Sequence, residues 1–282
     1  MIEAARKYGR IVQHGTQSRS NPAMHEGVRR LREGVIGEVY MARGMAYKWR
    51  GSIGRIKEEP VPPGVHYDLW VGPAPMKPFA RQRFHIYWHY QWDYGNGEIG
   101  NIGIHALNHL RWTMGVKYPA RVFSMGEHVM FDDDQQTHNI QTALYEFEEG
   151  GARKMMNYET RHWITEGSEG AHLYGSKGYS DGVQFFLGKE KKPTGGGEQA
   201  NSTADHFANF LGAVRSRKRS DLNAEIEEGA TSCLLVHLAN ISLRLERPVR
   251  FDAAAWRCIG DDEATAMFTR PYREPYVVPQ QV

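Results

Sequence analysis

The sequence predicts an α+β domain with a large, open, mostly antiparallel sheet and helices packed on one face. Consecutive strand patterns follow one another from residue 121 to residue 187, with glycine turns at 149–151 and 175–178. Strands joined by short turns pair antiparallel, because parallel neighbours need a long crossover. The helical patterns lie in separate blocks and do not alternate with the strands, which favours α+β over a doubly wound sheet.

The first elements combine helical, strand and loop patterns. A short helix over 2–8 leads to a strand over 11–13. A second helix begins at Pro22, since Asn21 can accept hydrogen bonds from its first N–H groups and proline suits the first helical position. An alternating strand follows over 37–49.

The remaining elements surround the strand block. A proline-rich loop over 60–78 and an aromatic segment over 84–94 precede a helix over 101–114. Five strands are predicted after that helix, at 121–130, 140–148, 153–163, 171–179 and 182–187. After a loop at 188–201 the sequence predicts helices at 203–216, 224–246 and 261–269 and a strand at 249–251.

Composition excludes several classes of function. The 35 Lys and Arg residues against 33 Asp and Glu residues leave a formal charge of +2, which gives no general case for a nucleic-acid or anionic-membrane partner. No apolar run approaches the roughly 18 residues that a transmembrane helix needs. Two cysteines cannot form a disulfide framework. We therefore expect a globular protein with neither nucleic acid nor membrane as its partner.

The main candidate site joins the aromatic segment to a glycine-rich helix start. Asn101 and His105 are four residues apart and share one face of a helix. A histidine beside an amide can act as a general acid or base, and aromatic rings suit the apolar CH faces of sugars. A packed core with a satisfied internal histidine explains the same residues slightly better. The predicted pocket comprises His105, Asn101, Trp88, Trp92, Asp93, Tyr94 and Asn96.

Gly95, Gly97 and Gly100 spell the dinucleotide-binding pattern G-x-G-x-x-G in the wrong context. The pattern should follow an apolar strand and precede an acidic residue by about 20 positions. Polar and aromatic residues precede it here, and position 120 is Ala. We therefore predict no cofactor site at these glycines.

Other chemistries have weaker support. Four histidines, at 85, 89, 105 and 109, cluster without a metal-binding motif, so no metal is predicted. The G-x-S-x-G pattern of serine hydrolases is absent. A two-carboxylate glycosidase stays open, with Asp68, Asp93 and Glu98 as its candidate carboxylates.

Several long runs resemble the Gfo/Idh/MocA family of oxidoreductases. The resemblance covers essentially the whole chain and is carried by Val12–Pro22, Pro62–Pro75, Trp92–His105, Asn209–Arg215, His237–Ser242 and Arg273–Pro279. It implies an α+β substrate domain that follows a Rossmann domain binding NAD(P). It also implies oxidation or reduction of a ring hydroxyl on a sugar or cyclitol.

The family carries a catalytic lysine in an E-K-P motif and a second motif, D-x-G-x-H. The stretch from Asn101 to His105 lies on the second motif, with Asn in place of Asp. An amide cannot orient and charge-stabilise an imidazole as a carboxylate does. The family pattern places five more residues near the pocket: Gln17, Arg19, Lys48, Arg161 and His237.

The resemblance also divides the chain. Residues 1–18 match the end of the Rossmann domain, and residues 19–282 match the substrate-binding and oligomerisation domain. Because one βαβ unit takes roughly 30 residues, we expect no NAD(P) site in this chain, although a full-length member would bind NAD(P). A cytoplasmic location is favoured.

An open sheet with helices on one face leaves its other face to be covered, so we expect a homo-oligomer packed through the sheet. Three functions stay open. The first, which the resemblance favours, is the substrate domain of a sugar oxidoreductase. The second is a cofactor-independent sugar lyase, hydrolase or isomerase that uses His105 as acid and base. The third is a non-catalytic carbohydrate-binding or assembly protein.

Overall fold

The computed structural model describes residues 1–163, 169–189, 193–194, 201–279 and 281–282. The strands are β1 (Val39–Lys48), β2 (Arg121–Glu127), β3 (Ile140–Glu149), β4 (Ala152–His162), β5 (Glu169–Gly175), β6 (Gly178–Ser180), β7 (Phe185–Leu187), β8 (Val249–Asp252) and β9 (Arg257–Cys258). The α-helices are α1 (Ile2–Lys7), α2 (Pro22–Arg32), α3 (Tyr67–Val71), α4 (Ile104–Met114), α5 (Thr203–Ser216), α6 (Ile226–Arg244) and α7 (Asp262–Ala266).

The described strands form one sheet in the order β7-β6-β5-β1-β4-β3-β2-β8-β9. All neighbouring strands run antiparallel except β1 and β4, which are parallel. β1 lies in the sheet between β4 and β5, although both strands follow it in the sequence by about a hundred residues. This placement makes the pair of β1 and β4 parallel. The predicted α+β class with a mostly antiparallel sheet is confirmed.

Helices α4 and α6 cover one face of the sheet, with α4 against β1 and β5 and α6 against β2 and β8. The strand side chains that face them are the largest in the core: Tyr145, Phe147 and Tyr158 are almost completely buried. Tyr145 also donates a hydrogen bond from its hydroxyl to the carbonyl oxygen of Leu235 at 3.2 Å. That bond satisfies the polar end of a buried ring and ties β3 to α6.

The start of α2 follows its sequence signals. The Asn21 side chain accepts hydrogen bonds from the backbone N–H groups of Ala23 at 2.8 Å and Met24 at 3.3 Å, and Pro22 occupies the first turn. Met24 is buried on the face that α2 turns toward the protein. The predicted cap therefore fixes the chain direction immediately before the sheet begins.

Three predicted elements differ from the structure. The strand predicted at 11–13 is reduced to one bridge between Gln13 and Glu225, because it meets only the residue before α6. The helix predicted from 101 begins as a π-helical turn over Ile99–Gly103. The last helix stops at Ala266, ahead of Pro271, and the loop predicted at 188–201 lies largely outside the described residues.

The sheet face opposite the helices carries apolar side chains. Met125, Leu144 and Met155 lie on it and are 65%, 40% and 49% exposed. None of the helices in the described stretches is both long and apolar enough to cross a bilayer. The division of the chain at residue 18 stays a prediction.

Candidate functional site

The π-helical turn Ile99–Gly103 sets the position of His105. A side chain on Gly103 would begin 2.7 Å from the Tyr158 ring, so only glycine lets this turn approach the sheet so closely. The extra residue in a π turn rotates the helix that follows it, and such turns recur at functional sites. His105 is the second residue of α4 and lies half-buried just beyond this turn.

His105 opens into a cleft of about 630 Å³ between α4, β5, the end of α2 nearest Asn21 and the start of α5. This size falls within the range of small-molecule sites. We call it the His105 cleft; it is lined by Ser18, Asn21, Met24, Met45, Ile102, His105, Ala106, His109, Gly170, Ala171, His172, Asp181, Asn201 and Ser202.

The imidazole of His105 is chemically available. Burial lowers its pKa below the ordinary value for histidine, because a charged ring is poorly solvated there. The ring is therefore neutral at pH 7, with one nitrogen able to accept a proton. In the described part of the chain no group makes a hydrogen bond to this ring. A neutral, unpartnered imidazole on the wall of a cleft suits a general base.

The walls of the His105 cleft carry groups that can bind hydroxyls. His172, Asp181 and Asn201 supply a ring nitrogen, a carboxylate and an amide. Ser202 secures one wall, since its hydroxyl donates to the carbonyl oxygen of Gln17 at 2.7 Å. The half-buried Gln17 thus takes part in building the cleft, through its backbone. A ligand rich in hydroxyl groups fits this lining.

His109 lies one helical turn behind His105 and closes the inner end of the cleft. It is 7% exposed, and its Nε2 makes no hydrogen bond in the described residues. Burial lowers the pKa of His109 to about 4, although the carboxylate of Asp181 acts in the opposite direction. His109 is therefore neutral at pH 7, and its packing against Gly182 leaves no room for a side chain there.

The aromatic candidates do not line the His105 cleft. The Tyr94 ring packs at a tilt against Trp70, with 5.1 Å between the ring centroids, in a small second cluster of rings from the 60–94 region. Asp93 forms an ion pair with Lys77. The Trp92 ring lies 5.1 Å from the Arg244 guanidinium at the end of α6. Trp88 is 42% exposed, on the short 3₁₀ helix His85–Tyr90. Their contacts with distant segments, rather than a common pocket, fix these side chains.

The two asparagines of the predicted pocket have different roles. Asn96 contributes its backbone, since its carbonyl oxygen accepts a hydrogen bond from the Asn240 amide at 3.0 Å. Asn101 turns its Nδ2 toward both carboxylate oxygens of Glu98, at 3.4 and 3.5 Å. Asn101 is half-buried, within one turn of His105. Asn101 is not among the residues that line the His105 cleft, and it contacts a residue that the sequence offered only as a glycosidase candidate.

Glu98 is the centre of a buried charged cluster that the sequence did not reveal. Its side chain has no exposed surface, and its carboxylate lies 3.1 Å from Arg50, 3.2 Å from His89 and 3.8 Å from His162. These partners come from the loop after β1, the 3₁₀ helix His85–Tyr90 and the end of β4. No spacing along the chain could have indicated this convergence.

The charged partners decide the state of Glu98. Burial alone raises the pKa of a carboxyl group, but the hydrogen bond from His89 and the charge of Arg50 outweigh it and lower the pKa of Glu98 to about 2. Glu98 is therefore an anion at neutral pH and cannot serve as a general acid. The acid of a two-carboxylate glycosidase would therefore have to be Asp68 or Asp93.

The residues placed near the pocket by the family pattern are scattered. Arg19 is buried away from the His105 cleft, donating to Asn108 and Glu228 at 2.9 Å each. Arg161 lies over the Tyr47 ring at 3.8 Å and pairs with Glu159 at 2.7 Å. These contacts give Arg19 and Arg161 structural partners.

Lys48 and His237 are the remaining residues that the family pattern places near the pocket. Lys48 is half-buried at the last position of β1. His237 has an exposed side chain on α6, yet desolvation by the surrounding protein lowers its pKa. Neither residue is part of the His105 cleft.

The glycines of the G-x-G-x-x-G pattern are used for close packing. A side chain on Gly95 would collide with the His89 backbone, and one on Gly97 or Gly100 would begin 2.9 Å from Thr137 or 2.5 Å from Asn96. Phosphate binding needs glycine N–H groups that open toward a ligand at a helix start. Close packing therefore accounts for glycine at these three positions, and the absence of a cofactor site there stays a prediction.

The four clustered histidines point to different partners. His85 packs edge-on against Phe84, His89 faces Glu98, His105 faces the cleft and His109 packs against Gly182. Among the described residues no group of three or more His, Cys, Asp or Glu side chains could hold a metal ion.

Residues 36–278 match the family described as "Oxidoreductase family, C-terminal alpha/beta domain" of the Gfo/Idh/MocA group. The chain belongs to the Gfo/Idh/MocA oxidoreductase family. The match extends from the start of the sheet to the C-terminal tail and contains His105 and the Glu98 cluster. No curated protein matches the chain.

Solved structures of Gfo/Idh/MocA type share this fold. The chain resembles an aldose-aldose oxidoreductase from Caulobacter crescentus complexed with glycerol, with a TM-score of 0.64 and 16% identity over 89% of this chain and 67% of the other. It also resembles the WlbA dehydrogenase from Bordetella pertussis in complex with NADH and UDP-GlcNAcA, with a TM-score of 0.60 and 14% identity over 89% and 66%.

A putative NADPH-dependent oxidoreductase from Desulfitobacterium hafniense gives a TM-score of 0.62 at 17% identity, over 88% of this chain and 67% of that one. The chain thus spans about two thirds of the length of these structures. At such low identity they show a common fold.

Proposed function

We propose that this chain is the substrate domain of a Gfo/Idh/MocA oxidoreductase that acts on a ring hydroxyl of a sugar or cyclitol. One observation carries the proposal. His105, which the resemblance places on the family's D-x-G-x-H position, presents to a polar cleft of about 630 Å³ a neutral imidazole that makes no hydrogen bond to the described residues. Such a ring can accept the proton of a substrate hydroxyl held against it.

The other side chains of the His105 cleft can bind the remaining groups of a sugar or cyclitol. Hydroxyl groups on a sugar or cyclitol both donate and accept, and His172, Asp181 and Asn201 offer both kinds of partner. Met45 and Ile102 provide apolar surface for the CH groups of the ring. The ligand is held by several hydrogen bonds at once, which fixes one hydroxyl opposite His105.

NAD(P) belongs to this proposal only through the family. Gly95, Gly97 and Gly100 pack closely against His89, Thr137 and Asn96, which supports a structural reason for these glycines. We expect NAD(P) to bind where a Rossmann domain accompanies the substrate domain. The part of the reaction that these residues explain is the binding and deprotonation of the substrate.

A second function, acid/base chemistry on a sugar without a nucleotide, has support from the same histidine. It requires a proton donor as well as a base, and Glu98 is excluded as that donor by its low pKa. The third function, carbohydrate binding without chemistry, requires only the cleft. Analysis of the products distinguishes the three functions.

The test uses the purified chain with D-glucose, myo-inositol and a panel of other sugars and glycosides. Calorimetry measures binding, and mass spectrometry follows products with and without NAD(P). We expect saturable binding to at least one sugar or cyclitol and no product without nucleotide. His105→Ala should weaken that binding by about tenfold, the loss of one good hydrogen bond.

His66→Ala is the matched control, because His66 is exposed and outside the cleft. Product formed without nucleotide would contradict the proposal and favour the second function. Binding that His105→Ala leaves unchanged would contradict the assignment of the cleft.

A further inference from the structure

A second cleft, of about 520 Å³, lies between α2, α4 and the residues just before α6. This volume also falls within the range of small-molecule sites. Among the described residues no side chain lines both this cleft and the His105 cleft. We call it the Arg19 cleft; its walls include three arginines, one glutamate and a tryptophan, namely Arg19, Arg29, Arg32, Glu33 and Trp112.

Arg19 keeps one nitrogen of its guanidinium group available to a ligand. The residue is 5% exposed, and its Nε donates to Oδ1 of Asn108 and its Nη2 to Oε2 of Glu228, at 2.9 Å each. Nη1 has no hydrogen-bond partner in the described residues, yet it keeps accessible surface. Because Arg19 lines the cleft, the two protons of Nη1 can be donated to an acceptor that enters it.

The charges around Arg19 do not cancel. Arg111 pairs with the same carboxylate of Glu228, so two nearly buried guanidinium groups share one anion. Burial, together with the charges of Arg111 and Arg32, lowers the pKa of Arg19 to about 10, although Glu228 acts in the opposite direction. Arg19 is therefore still a cation at pH 7, with only a share of one counter-charge.

Arg32 brings a second cation to the cleft. It is the exposed last residue of α2, and its side chain forms no hydrogen bond or ion pair in the described stretches. Arg29, one turn earlier, pairs with both Glu26 and Glu33. Glu33 also lines the cleft, but Arg29 holds its carboxylate. With Arg19 and Arg111 included, four arginines face three glutamates, which leaves a single positive charge in excess.

Apolar surface adjoins these cations. The half-buried Trp112 ring has its centroid 5.1 Å from the Arg19 guanidinium, and His25 packs edge-on against that ring at 5.0 Å. Val28 and Leu222 also line the cleft and are 3% and 8% exposed. A ligand in the cleft can therefore contact a guanidinium group and apolar side chains at the same time.

We propose that the Arg19 cleft binds a small organic monocarboxylate, whose carboxylate accepts from Arg19 Nη1 and from Arg32 and whose apolar body packs against Trp112. A guanidinium group matches the planar carboxylate, and one negative charge balances the single positive excess. A phosphate ester would bring up to two charges. A basic helix end accounts for Arg32, but it does not account for the unpartnered nitrogen of the nearly buried Arg19. This site is separate from the His105 cleft and does not depend on the proposed function.

Calorimetry of the whole chain with benzoate, benzamide, acetate and inorganic phosphate tests the site. Benzamide has the shape of benzoate without its charge, and acetate has the charge without the ring. We expect benzoate to bind with a Kd of about 1 mM, and each of the other three to bind at least about tenfold more weakly. Benzoate should also shift the indole resonance of Trp112 in the ¹H–¹⁵N spectrum, which Trp112→Phe identifies.

Two variants locate the ligand within the cleft. Arg32→Gln removes an exposed charge, leaves the fold intact and should weaken benzoate binding about threefold. Arg19→Lys keeps the charge but loses Nη1, and should weaken binding about tenfold. Thermal unfolding shows whether Arg19→Lys is folded; if it is not, Arg32→Gln and the Trp112 resonance decide. Arg215→Gln, at an exposed position of α5 outside both clefts, is the control and should not change binding.

Several results would overturn the inference. Absence of saturable benzoate binding would do so, as would equal affinity for benzoate and benzamide or wild-type affinity in Arg32→Gln. Acetate or inorganic phosphate that binds as tightly as benzoate would rule out a monocarboxylate with an apolar body. Benzoate that binds without shifting the Trp112 resonance would place the ligand outside the Arg19 cleft.

Discussion

Burial of single histidines makes the stability of this domain depend on pH. His109 is enclosed between α4 and Gly182, and His162 lies beside Glu98 at the end of β4. Burial lowers the pKa of each to about 4, whereas an unfolded histidine titrates near 6.5. Between these values the unfolded chain binds more protons than the folded one. The folded state is therefore most stable, as far as these two histidines are concerned, above pH 6.5. It loses this stability as the pH falls toward about 4.

We predict that His109→Gln flattens this acid dependence. Removing one titrating group should reduce the slope of unfolding free energy against pH by up to about 1.4 kcal/mol per pH unit between pH 4 and 6.5. Urea unfolding at a series of pH values measures the slope. His66→Gln, at an exposed position, should leave the slope unchanged. If the unfolding free energy of His109→Gln changes with pH in parallel with that of the wild type, His109 does not titrate in this range.

At single residues the sequence predicts local relations and misses distant ones. The spacing of Asn101 and His105 predicts that they share one face of a helix, which depends only on local geometry and stays a prediction. It could not show that Tyr94 packs on Trp70, that Asp93 pairs with Lys77, or where Glu98 finds its partners. Those contacts depend on how separate segments meet in the sheet and loops.

At the scale of elements, Glu228 at the start of α6 holds three segments together. Its carboxylate pairs with Arg19 at 2.9 Å and also with Arg111 of α4. Both guanidinium groups are nearly buried, and the Glu228 side chain is 42% exposed. Arg19 and Arg111 would repel each other without the shared carboxylate. The interaction joins the segment before α2 to α4 and α6.

We predict that Glu228→Gln destabilises the domain by about 2–3 kcal/mol, somewhat less than the loss of a fully buried partner because Glu228 is part-exposed. Glu227→Gln is the matched control. Glu227 is the neighbouring residue in the same first turn and pairs with Lys117 at 3.2 Å on the surface, so its loss should cost less than about 1 kcal/mol. Denaturant unfolding compares the two; equal losses would contradict the bridging role of Glu228.

The elements themselves were largely predictable. Helix α5, predicted at 203–216, spans Thr203–Ser216, and β3 and β4 differ from their predicted bounds by a residue or two. The π turn over Ile99–Gly103 was not predictable, because it depends on the Tyr158 ring packing against Gly103. The parallel pairing of β1 with β4 likewise depends on sheet assembly rather than on local pattern.

At the scale of the whole molecule, the uncovered sheet face is the feature that needs a partner. Leu144 and Met155 lie on neighbouring strands of that face, with Met125 on the next strand. An apolar sheet face is usually covered, and a second copy of the chain can cover it with the same surface. The homo-oligomer stays a prediction, for which this face is the proposed contact.

We predict that the wild-type chain is a dimer at micromolar concentration, and that Leu144→Lys combined with Met155→Lys converts it to a monomer. Lysines facing each other across a two-fold interface would repel, and their burial without partners is costly. Sedimentation velocity distinguishes the states. Val61→Lys, at an exposed loop position, is the control. A monomeric wild type would contradict the prediction.

The central claim is that His105 and its cleft form the substrate site, and imidazole NMR tests it most directly. The ¹H–¹⁵N spectrum of the histidine side chains is recorded while myo-inositol or D-glucose is added to the chain. We predict that the His105 resonances shift and saturate with the ligand, accompanied by those of His172 on the opposite wall, while exposed His66 stays constant. Saturable binding that leaves His105 unmoved, or that shifts histidines outside the cleft instead, would contradict the account.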